Sequence, residues 1–576
     1  DFDEQVYGAI EVLLADGAFR RQAQAGCRHL LVDEFQDLTP AHVLLIRLLA
    51  SPQLDVFGVG DDDQVIYGHA GADPEFLIGF DQLFPGAADH PLEVNYRCPA
   101  IVVEQAASLL SHNQRRVAKA VRPGPAARQE ADALRVVSHP SASGAEALVE
   151  VVKDWVGKGA ELVDIAVLSR VNALLLAPQV ALIEAGIPVR SALGLEVLER
   201  TGLRAALAYL RIAVAPDSRI AAEDVSEVLR RPTRGLPQWF GDRLRRRRWW
   251  SLDGLAAIAT QVPDKEAGKV EWLVSDLKLL TERARATGAT TRTVLAYIKD
   301  GIGLGGAMSL LDSSRGGEGS SHLDDLDGLE QVAGLHPDGA TFESWLRERL
   351  AGEGWVVAGG AGVTLSTVHR VKGMEWPYVA VFGVNAGILP HRLAEDEEEE
   401  RRVLHVAVTR CQCEVVLLSD ASRPSPMLPE LTHPAAMGAA RREGGRRGDL
   451  VEVRGRSAGA GGGGGGGGGG SGGGRRRTGR DRHGGRERPA PANADPVLEQ
   501  ALRAWRAQRS RRDGVPAYIV MHDATLSAIA AARPTSLVAL RRIDGIGPAK
   551  LELYGEEILA VLSDVADGPQ PAQVQS

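Results

Sequence analysis

The chain has 576 residues, of which 44% are hydrophobic, enough for roughly three to five domains with packed cores. Its formal net charge of −9 excludes a bulk polycation, so any nucleic-acid contact must come from local basic patches. The four cysteines, Cys27, Cys98, Cys411 and Cys413, are scattered without a CxxC pair, which excludes a disulfide framework, carries no zinc signature and fits a reducing cytosol.

Residues 1–29 read as an amphipathic helical stretch leading into a first strand. Leu30, Leu31 and Val32 fit a buried strand of a parallel sheet. Asp33 and Glu34 then emerge at its carboxyl end, where α/β sheets bind ligands. A helical stretch Ala41–Leu49 and a strand-like run Leu54–Val59 complete a βαβ pattern. Alternation continues over 91–199, with a strand at Ile165–Leu168 and a helix at Leu174–Glu184.

Residues 200–355 change character. Helical runs at Arg204–Ile212, Ala221–Arg230, Val270–Ala286, Leu323–Ala333 and Phe342–Leu350 have little strand signal between them. Strands return from Val363, through Val379–Phe382 and Val415–Leu418. An all-helical block between two α/β pieces reads as an inserted domain. Residues 439–488 are Arg- and Gly-rich, with unbroken glycine at 461–470, which predicts a flexible linker. Its ~50 residues would span on the order of 40 Å. A compact helical pattern follows at 493–566, opened by Asp495-Pro496 as N-cap and first-turn proline. There is no signal peptide and no apolar run of spanning length, so a soluble chain with no membrane partner is expected.

Adjacent carboxylates at a strand end suit nucleotide hydrolysis: Asp33 to hold Mg²⁺, Glu34 to polarise the attacking water. On the pair alone, a capped strand end with solvated acids explains the residues as well. The longer stretch DEFQD, residues 33–37, resembles motif II of the UvrD/Rep/PcrA-type helicases, the superfamily 1 DNA translocases. Residues 56–72, VFGVGDDDQVIYGHAGA, resemble motif III. The resemblance implies that Gln64 senses the γ-phosphate or the water, and that Tyr67 stacks on a base of single-stranded DNA. Family members usually carry an aromatic and an arginine after that tyrosine. Here Gly68, His69 and Ala70 stand there, so stacking is weaker or His69 takes the aromatic's place. Residues 93–99, EVNYRCP, resemble motif IV, which implies Tyr96 on the adenine and Arg97 on the γ-phosphate, a planar cation forked onto oxygens.

Residues 363–391 resemble motif V. Thr367 and His369 are then expected to couple DNA to nucleotide, and Glu375 to bind the ribose hydroxyl; Lys372-Gly373 form a tight basic turn. Residues 400–410, ERRVLHVAVTR, resemble motif VI. Arg410 is the implied arginine finger, across the cleft from Asp33 and Glu34. Arg401, Arg402 and the acidic run Glu395–Glu400 read as solvated charges.

The helical block begins like the family's 2B domain, in GLEVLERTGLRAALAYLR (194–211) and RRPTRGL (230–236), with Val197 and Leu198 where two aromatics are typical. Residues 493–566 resemble an HRDC domain, through GVPAYIVMHDATLSAIAAARPTSL (514–537) and IDGIGPAKLELYG (543–555). There the turn at Gly545 and Gly547, with Lys550 nearby, can present N–H groups to a DNA phosphate without sequence preference, or serve protein docking. The order of these motifs resembles that of the actinobacterial UvrD-like proteins that carry an HRDC domain.

The expected fold is therefore α/β: RecA-like parallel-sheet domains, the first incomplete, with an inserted all-α domain, a disordered linker and a small all-α HRDC domain. The expected boundaries are 1–29 (end of a 1B-type helical region), 30–90 (C-terminal part of domain 1A), 91–199 (first segment of 2A), 200–355 (2B), 356–425 (second segment of 2A), 426–492 (linker), 493–566 (HRDC) and 567–576 (tail). No phosphate-cradling GxxxxGK[ST] loop occurs; the family carries it well before motif II. The chain is thus expected to be an N-terminally truncated helicase, nearly inactive alone, with exposed apolar surface on the incomplete 1A.

The resemblance implies an ATP- and Mg²⁺-dependent 3′→5′ DNA helicase of repair or replication. It would act on single-stranded and forked DNA, in the cytoplasm at the nucleoid, with repair-protein partners through the HRDC domain or the linker. The alternative is a catalytically inactive DNA-binding or regulatory short form. A helicase–nuclease subunit of the RecB/AddA kind is disfavoured, because too few residues follow motif VI for a nuclease domain.

Overall fold

The computed structural model describes residues 2–435 and 496–566, except 118, 191–192, 216–218, 314–320, 352–360, 514–520, 522, 542, 544–545 and 547. Of the expected linker, residues 436–492 lie outside the described residues, as do the tail, Asp495, Gly545 and Gly547; its first residues, 426–435, are described and bury Met427 and Leu431. By contact the chain divides into one unit of 1–435 with 534–560 and another of 436–533 with 561–576.

The first α/β piece is small. Helices Phe2–Ala15 and Gly17–Gly26 precede strand β1, Leu30–Val32, which pairs in parallel with β2, Val56–Gly58, across the helix Pro40–Ala50. The expectation of a buried first strand fails here. Leu31 is 79% exposed and Phe57 57% exposed, because β1 and β2 form a sheet of only two strands among the described residues and their outward face is uncovered. The other face is closed by Phe35, whose ring meets Phe80 edge-on at 5.0 Å between centroids.

The second α/β piece is built on six parallel strands: β3 Leu134–His139, β4 Ile165–Ser169, β5 Val189–Arg190, β6 Val363–Thr367, β7 Trp376–Phe382 and β8 Cys411–Asp420. Their spatial order is β3-β8-β7-β4-β6-β5. β4 lies at the middle, with Ala166 in register with both Thr364 and Val379. Every residue of β4 is buried, as a strand covered by helices on both faces requires. Helices Gly144–Gly157, Leu176–Glu184, Ala100–Leu110 and Glu397–Val408 pack against the sheet.

Between β5 and β6 the chain leaves the sheet. It forms helices that include Thr201–Val214, Gln238–Arg245, Leu252–Ala259, Asp264–Arg285, Thr291–Asp300, His322–Val332 and Gly339–Ala351. Each run anticipated from sequence overlaps a helix, Ala221–Arg230 the shorter helix Ala222–Val228, with Ala221 itself in a strand. Among the described residues, named strands here are limited to the two-residue pair Ile220–Ala221 with Trp249–Trp250. The insertion is tied back by charge. Asp324 accepts hydrogen bonds from His391 Nε2 (3.1 Å) and Arg392, Arg392 reaches Asp327 at 2.9 Å, and Arg200 reaches Asp325 at 2.8 Å. Burial alone would raise the Asp324 carboxyl, but the His391 hydrogen bond and the Arg392 charge hold it well below the usual carboxylate range.

Near the carboxyl terminus the described helices are Pro496–Asp513, Asp523–Ala532, Leu537–Arg541 and Pro548–Ala566. No single described helix is long and apolar enough to cross a membrane.

Candidate functional site

Parallel strands give the larger sheet two unlike edges, and the candidate residues divide between them. Glu375 immediately precedes β7 and Arg410 immediately precedes β8, so both stand at amino ends of strands. Thr367 ends β6 and Arg170 follows β4, at carboxyl ends, with His369 just beyond.

At the amino-end edge, Arg97 donates through Nε to Glu375 and through Nη1 to the Thr409 carbonyl at 3.3 Å. Gln412 donates to the other Glu375 oxygen at 2.8 Å. These contacts, the Gln412 hydrogen bond first and then the Arg97 charge, pull the Glu375 carboxyl down. Tyr96 beside them is 81% exposed, a free ring face. Cys98 and Cys411 are neighbours in space: the interaction between the two thiols lowers Cys98 and raises Cys411, and Cys98 Sγ donates to the Thr409 carbonyl at 3.5 Å.

Arg410 is buried. It donates through Nε to the Val406 carbonyl (3.1 Å) and through Nη2 to Gln64 Oε1 (3.3 Å). Burial, reinforced by the charge of Arg97, brings it down to about 10. Gln64 in turn donates to Asp61 Oδ2 at 2.7 Å. The Asp61 backbone N–H donates to Gln36 Oε1 at 2.9 Å, and Gln36 Nε2 donates to Glu34. An unbroken hydrogen-bonded path therefore runs from Arg410, ahead of β8, to the Glu34 carboxylate beyond β1. Asp33 and Glu34 are exposed at that strand end, and Glu34 holds a left-handed backbone with φ 50°.

A second bridge joins the two α/β pieces. Lys372 Nζ lies 2.6 Å from both Asp37 oxygens and 3.4 Å from Glu34. Burial raises the Asp37 carboxyl despite that lysine. Tyr67 Oη donates to the His369 carbonyl, and the Gly68 N–H donates to Glu399 Oε1 at 3.0 Å. Tyr67, His69 and His369 form a triangle of rings with centroids 6.0–6.2 Å apart. They line a cleft of about 1100 Å³ together with Thr367, Arg170 and Arg370. His69 is exposed. Burial, then the charge of Arg170, drops the His369 imidazole to about 3, so it is neutral there.

Two expectations are corrected. Arg402 is buried rather than solvated, since its guanidinium donates to the Arg115 carbonyl at 2.8 Å; Arg401 pairs with Glu430 at 2.8 Å. The acidic run is not all solvated either, for Glu400 is buried and takes Arg170 Nη2 at 2.8 Å. Both corrections have one cause: the helix Glu397–Val408 packs its polar face against neighbouring segments instead of water.

Other contributors escaped the sequence reading. Gln36 sits inside DEFQD, and its role shows only in its two hydrogen bonds. Asp61, Asp62 and Asp63 place carboxylate oxygens within 4.8 Å of one another. Their charge is answered by Lys119 Nζ, at 2.5, 2.6 and 3.1 Å, and by Arg116 at 2.7 Å from Asp63. Asp61 settles at about 2, burial opposing and Lys119 prevailing. The run of arginines at 245–248 beside Trp249 and Trp250 is a basic and aromatic signal that was readable and passed over. Lys550 lies on the helix Pro548–Ala566, partly buried, and burial lowers its ammonium.

Comparison with known proteins follows the same lines. The UvrD/REP helicase N-terminal domain matches residues 1–85. The UvrD-like helicase C-terminal domain matches 91–261 and 357–421, and the HRDC domain matches 495–562. DNA helicase II of Escherichia coli is 30% identical over 72% of this chain and 59% of its own length. ATP-dependent DNA helicase UvrD2 of Mycobacterium tuberculosis is 27% identical over 98% of this chain and 71% of its own length. ATP-dependent DNA helicase PcrA of Leuconostoc citreum is 26% identical over 73% of this chain and 58% of its own length. The chain thus spans under two thirds of DNA helicase II and PcrA. It carries the N- and C-terminal domains of the UvrD/REP helicase family, followed by an HRDC domain.

Proposed function

We propose that this chain is most of an ATP-dependent 3′→5′ DNA helicase of UvrD type, acting in DNA repair or replication. The observation that carries the reading is the path Arg410–Gln64–Asp61–Gln36–Glu34. It joins a cation at one strand edge to a carboxylate at another, which is the arrangement phosphoryl transfer to water needs.

In this reading Asp33 holds Mg²⁺ and Glu34 polarises the water. Both are exposed acids at a strand end, and among the described residues Asp33 gives one oxygen to a neighbour, the Glu34 N–H at 2.9 Å. The Asp61–Asp63 cluster is not the metal site, because Lys119 already answers its charge. Arg97 and Arg410 stabilise charge on the γ-phosphate, Gln64 reports its presence, Tyr96 stacks on the adenine and Glu375 releases Arg97 to take the ribose hydroxyl. Tyr67, His69, Thr367 and His369 contact single-stranded DNA in the adjoining cleft, with His69 as the substitute ring. Lys372 spans both halves, so a change at Glu34 reaches Tyr67 through one side chain. Gly545, Gly547 and Lys550 add a phosphate contact from the HRDC domain. The phosphate-cradling loop is supplied by a segment outside these 576 residues, and the exposed faces of Leu31 and Phe57 are where further strands of that domain pack. Single-stranded and forked DNA, repair proteins met through the HRDC domain or linker, and a cytoplasmic site at the nucleoid complete the proposal.

The test is strand displacement by the longer protein on duplexes with a 3′ or a 5′ single-stranded tail. ATP-dependent displacement from the 3′ tail alone is expected. Displacement from the 5′ tail, or none with ATP hydrolysis intact, would overturn the reading.

A further inference from the structure

The helical insertion carries a second cleft, of about 670 Å³, between the helices Gln238–Arg245 and Leu252–Ala259. Three guanidinium groups line it, from Arg243, Arg246 and Arg247, and no carboxylate does. In a chain of net charge −9 this is a local reversal. Arg246 and Arg247 are exposed and have no acidic partner among the described residues, whereas neighbouring Arg245 is paired with Asp242 at 2.6 Å. Arg243 donates to Gln261, which fixes one corner of the cleft. Like charges held side by side without counter-ions cost energy unless an anion joins them.

Aromatic surface lies in the same place. Trp239 shares a helix face with Arg243 by the four-residue spacing, and its indole is 43% exposed. Trp250 is buried beneath, locked by its Nε1 donating to the Leu244 carbonyl at 3.0 Å, with Arg247 over its ring at 5.0 Å. Ala257 and Ile258 add an apolar floor. Trp249 is as exposed as Trp239 but does not line this cleft, and Arg219 at 5.1 Å and Arg248 at 5.5 Å already lie over its ring, so Trp239 is the exposed ring that the cleft offers.

We propose that this cleft binds single-stranded nucleic acid, as a site separate from the one containing Tyr67. The three arginines take successive phosphates and Trp239 takes an unpaired base. Duplex DNA keeps its base faces stacked and offers an indole nothing to stack on, whereas every unpaired base has a free π-face. Guanidinium forks match phosphate oxygens. A single strand leaving the first cleft would thus be held at a second point on the insertion.

The experiment uses the full chain and a single-stranded oligonucleotide carrying 5-iodouracil, with cross-links mapped by mass spectrometry, next to binding by fluorescence anisotropy. Cross-links to the 238–250 peptide are expected. W239A is expected to remove them and to weaken single-strand binding about five- to tenfold, with blunt-duplex binding unchanged. The R243Q/R246Q/R247Q variant is expected to make the log–log salt slope shallower by about 2, the equivalent of three phosphates on a single strand. Thermal melting should move little for either variant, since Trp239, Arg246 and Arg247 are exposed and Arg243 gives up one hydrogen bond, to Gln261. Cross-links confined to other peptides, equal losses on duplex and single strand in W239A, or an unchanged salt slope would each overturn the proposal; equal losses would mark a duplex-backbone site.

Discussion

Arg410 donates through Nη2 to Oε1 of Gln64 at 3.3 Å, although 346 residues separate them in sequence. Gln64 has one oxygen and one nitrogen, and it uses both: the nitrogen goes to Asp61, the oxygen to Arg410. A side chain so held reports on both partners at once.

In a polypeptide extended ahead of Asp1 by a GxxxxGK[ST] loop, R410A is therefore expected to lower DNA-stimulated ATP turnover by about 10³-fold. Q64A should lower kcat by a smaller factor and uncouple it from DNA, leaving a similar rate with and without single strands. Steady-state hydrolysis over an ATP titration checks both. A Q64A enzyme that keeps full DNA stimulation would break the proposed path.

Lys119 pairs with three carboxylates, and Asp62 and Asp63 are buried. Removing one partner of a buried charge network costs about 3–5 kcal/mol, so K119M should lose roughly that in urea unfolding. Without the lysine, burial is left to raise the Asp61 carboxyl and to raise Asp62 further above its unfolded value. Protonation then favours the folded chain, so K119M should recover part of the deficit relative to wild type as pH falls from 7 towards 5. A deficit independent of pH would assign the loss to packing.

His369 titrates near 3 in the folded chain against an ordinary 6.5. Between those values the unfolded chain binds the extra proton, so stability falls as pH falls below about 6.5 and is level above it. The slope this one group can add is about 1.4 kcal/mol per pH unit at most. H369Q should flatten the wild-type slope between pH 6.5 and 5 in denaturant melts and change nothing at pH 8. Parallel slopes in the two proteins would contradict the burial argument.

Motifs were legible because each is a short run at a strand end: DEFQD after β1, TVHR at the end of β6, VAVTR before β8. Strand ends place side chains by local rules, so the residue types already imply the chemistry. Leu30–Val32 misled because an apolar triplet records a buried strand only when neighbours exist to bury it, and the described sheet there has two strands. Arg402 and Glu400 misled for the converse reason. Charged residues on a helix read as solvated, and only the fold reveals the Arg115 carbonyl and the Arg170 guanidinium that receive them. Gln36 and Lys119 could not be found by pattern, since Asp61, which both of them hold, comes from elsewhere in the chain. The arginine run ahead of Trp249 needed no fold at all.

The account turns on where the nucleotide's phosphates are held. The most direct measurement is ATP hydrolysis by these 576 residues alone and by a longer polypeptide carrying a GxxxxGK[ST] loop ahead of Asp1, each with and without single-stranded DNA. DNA-stimulated turnover in the longer polypeptide only, abolished by R410A, is the predicted result. Equal stimulated turnover by the 576 residues alone would contradict it and place the phosphate cradle within this chain.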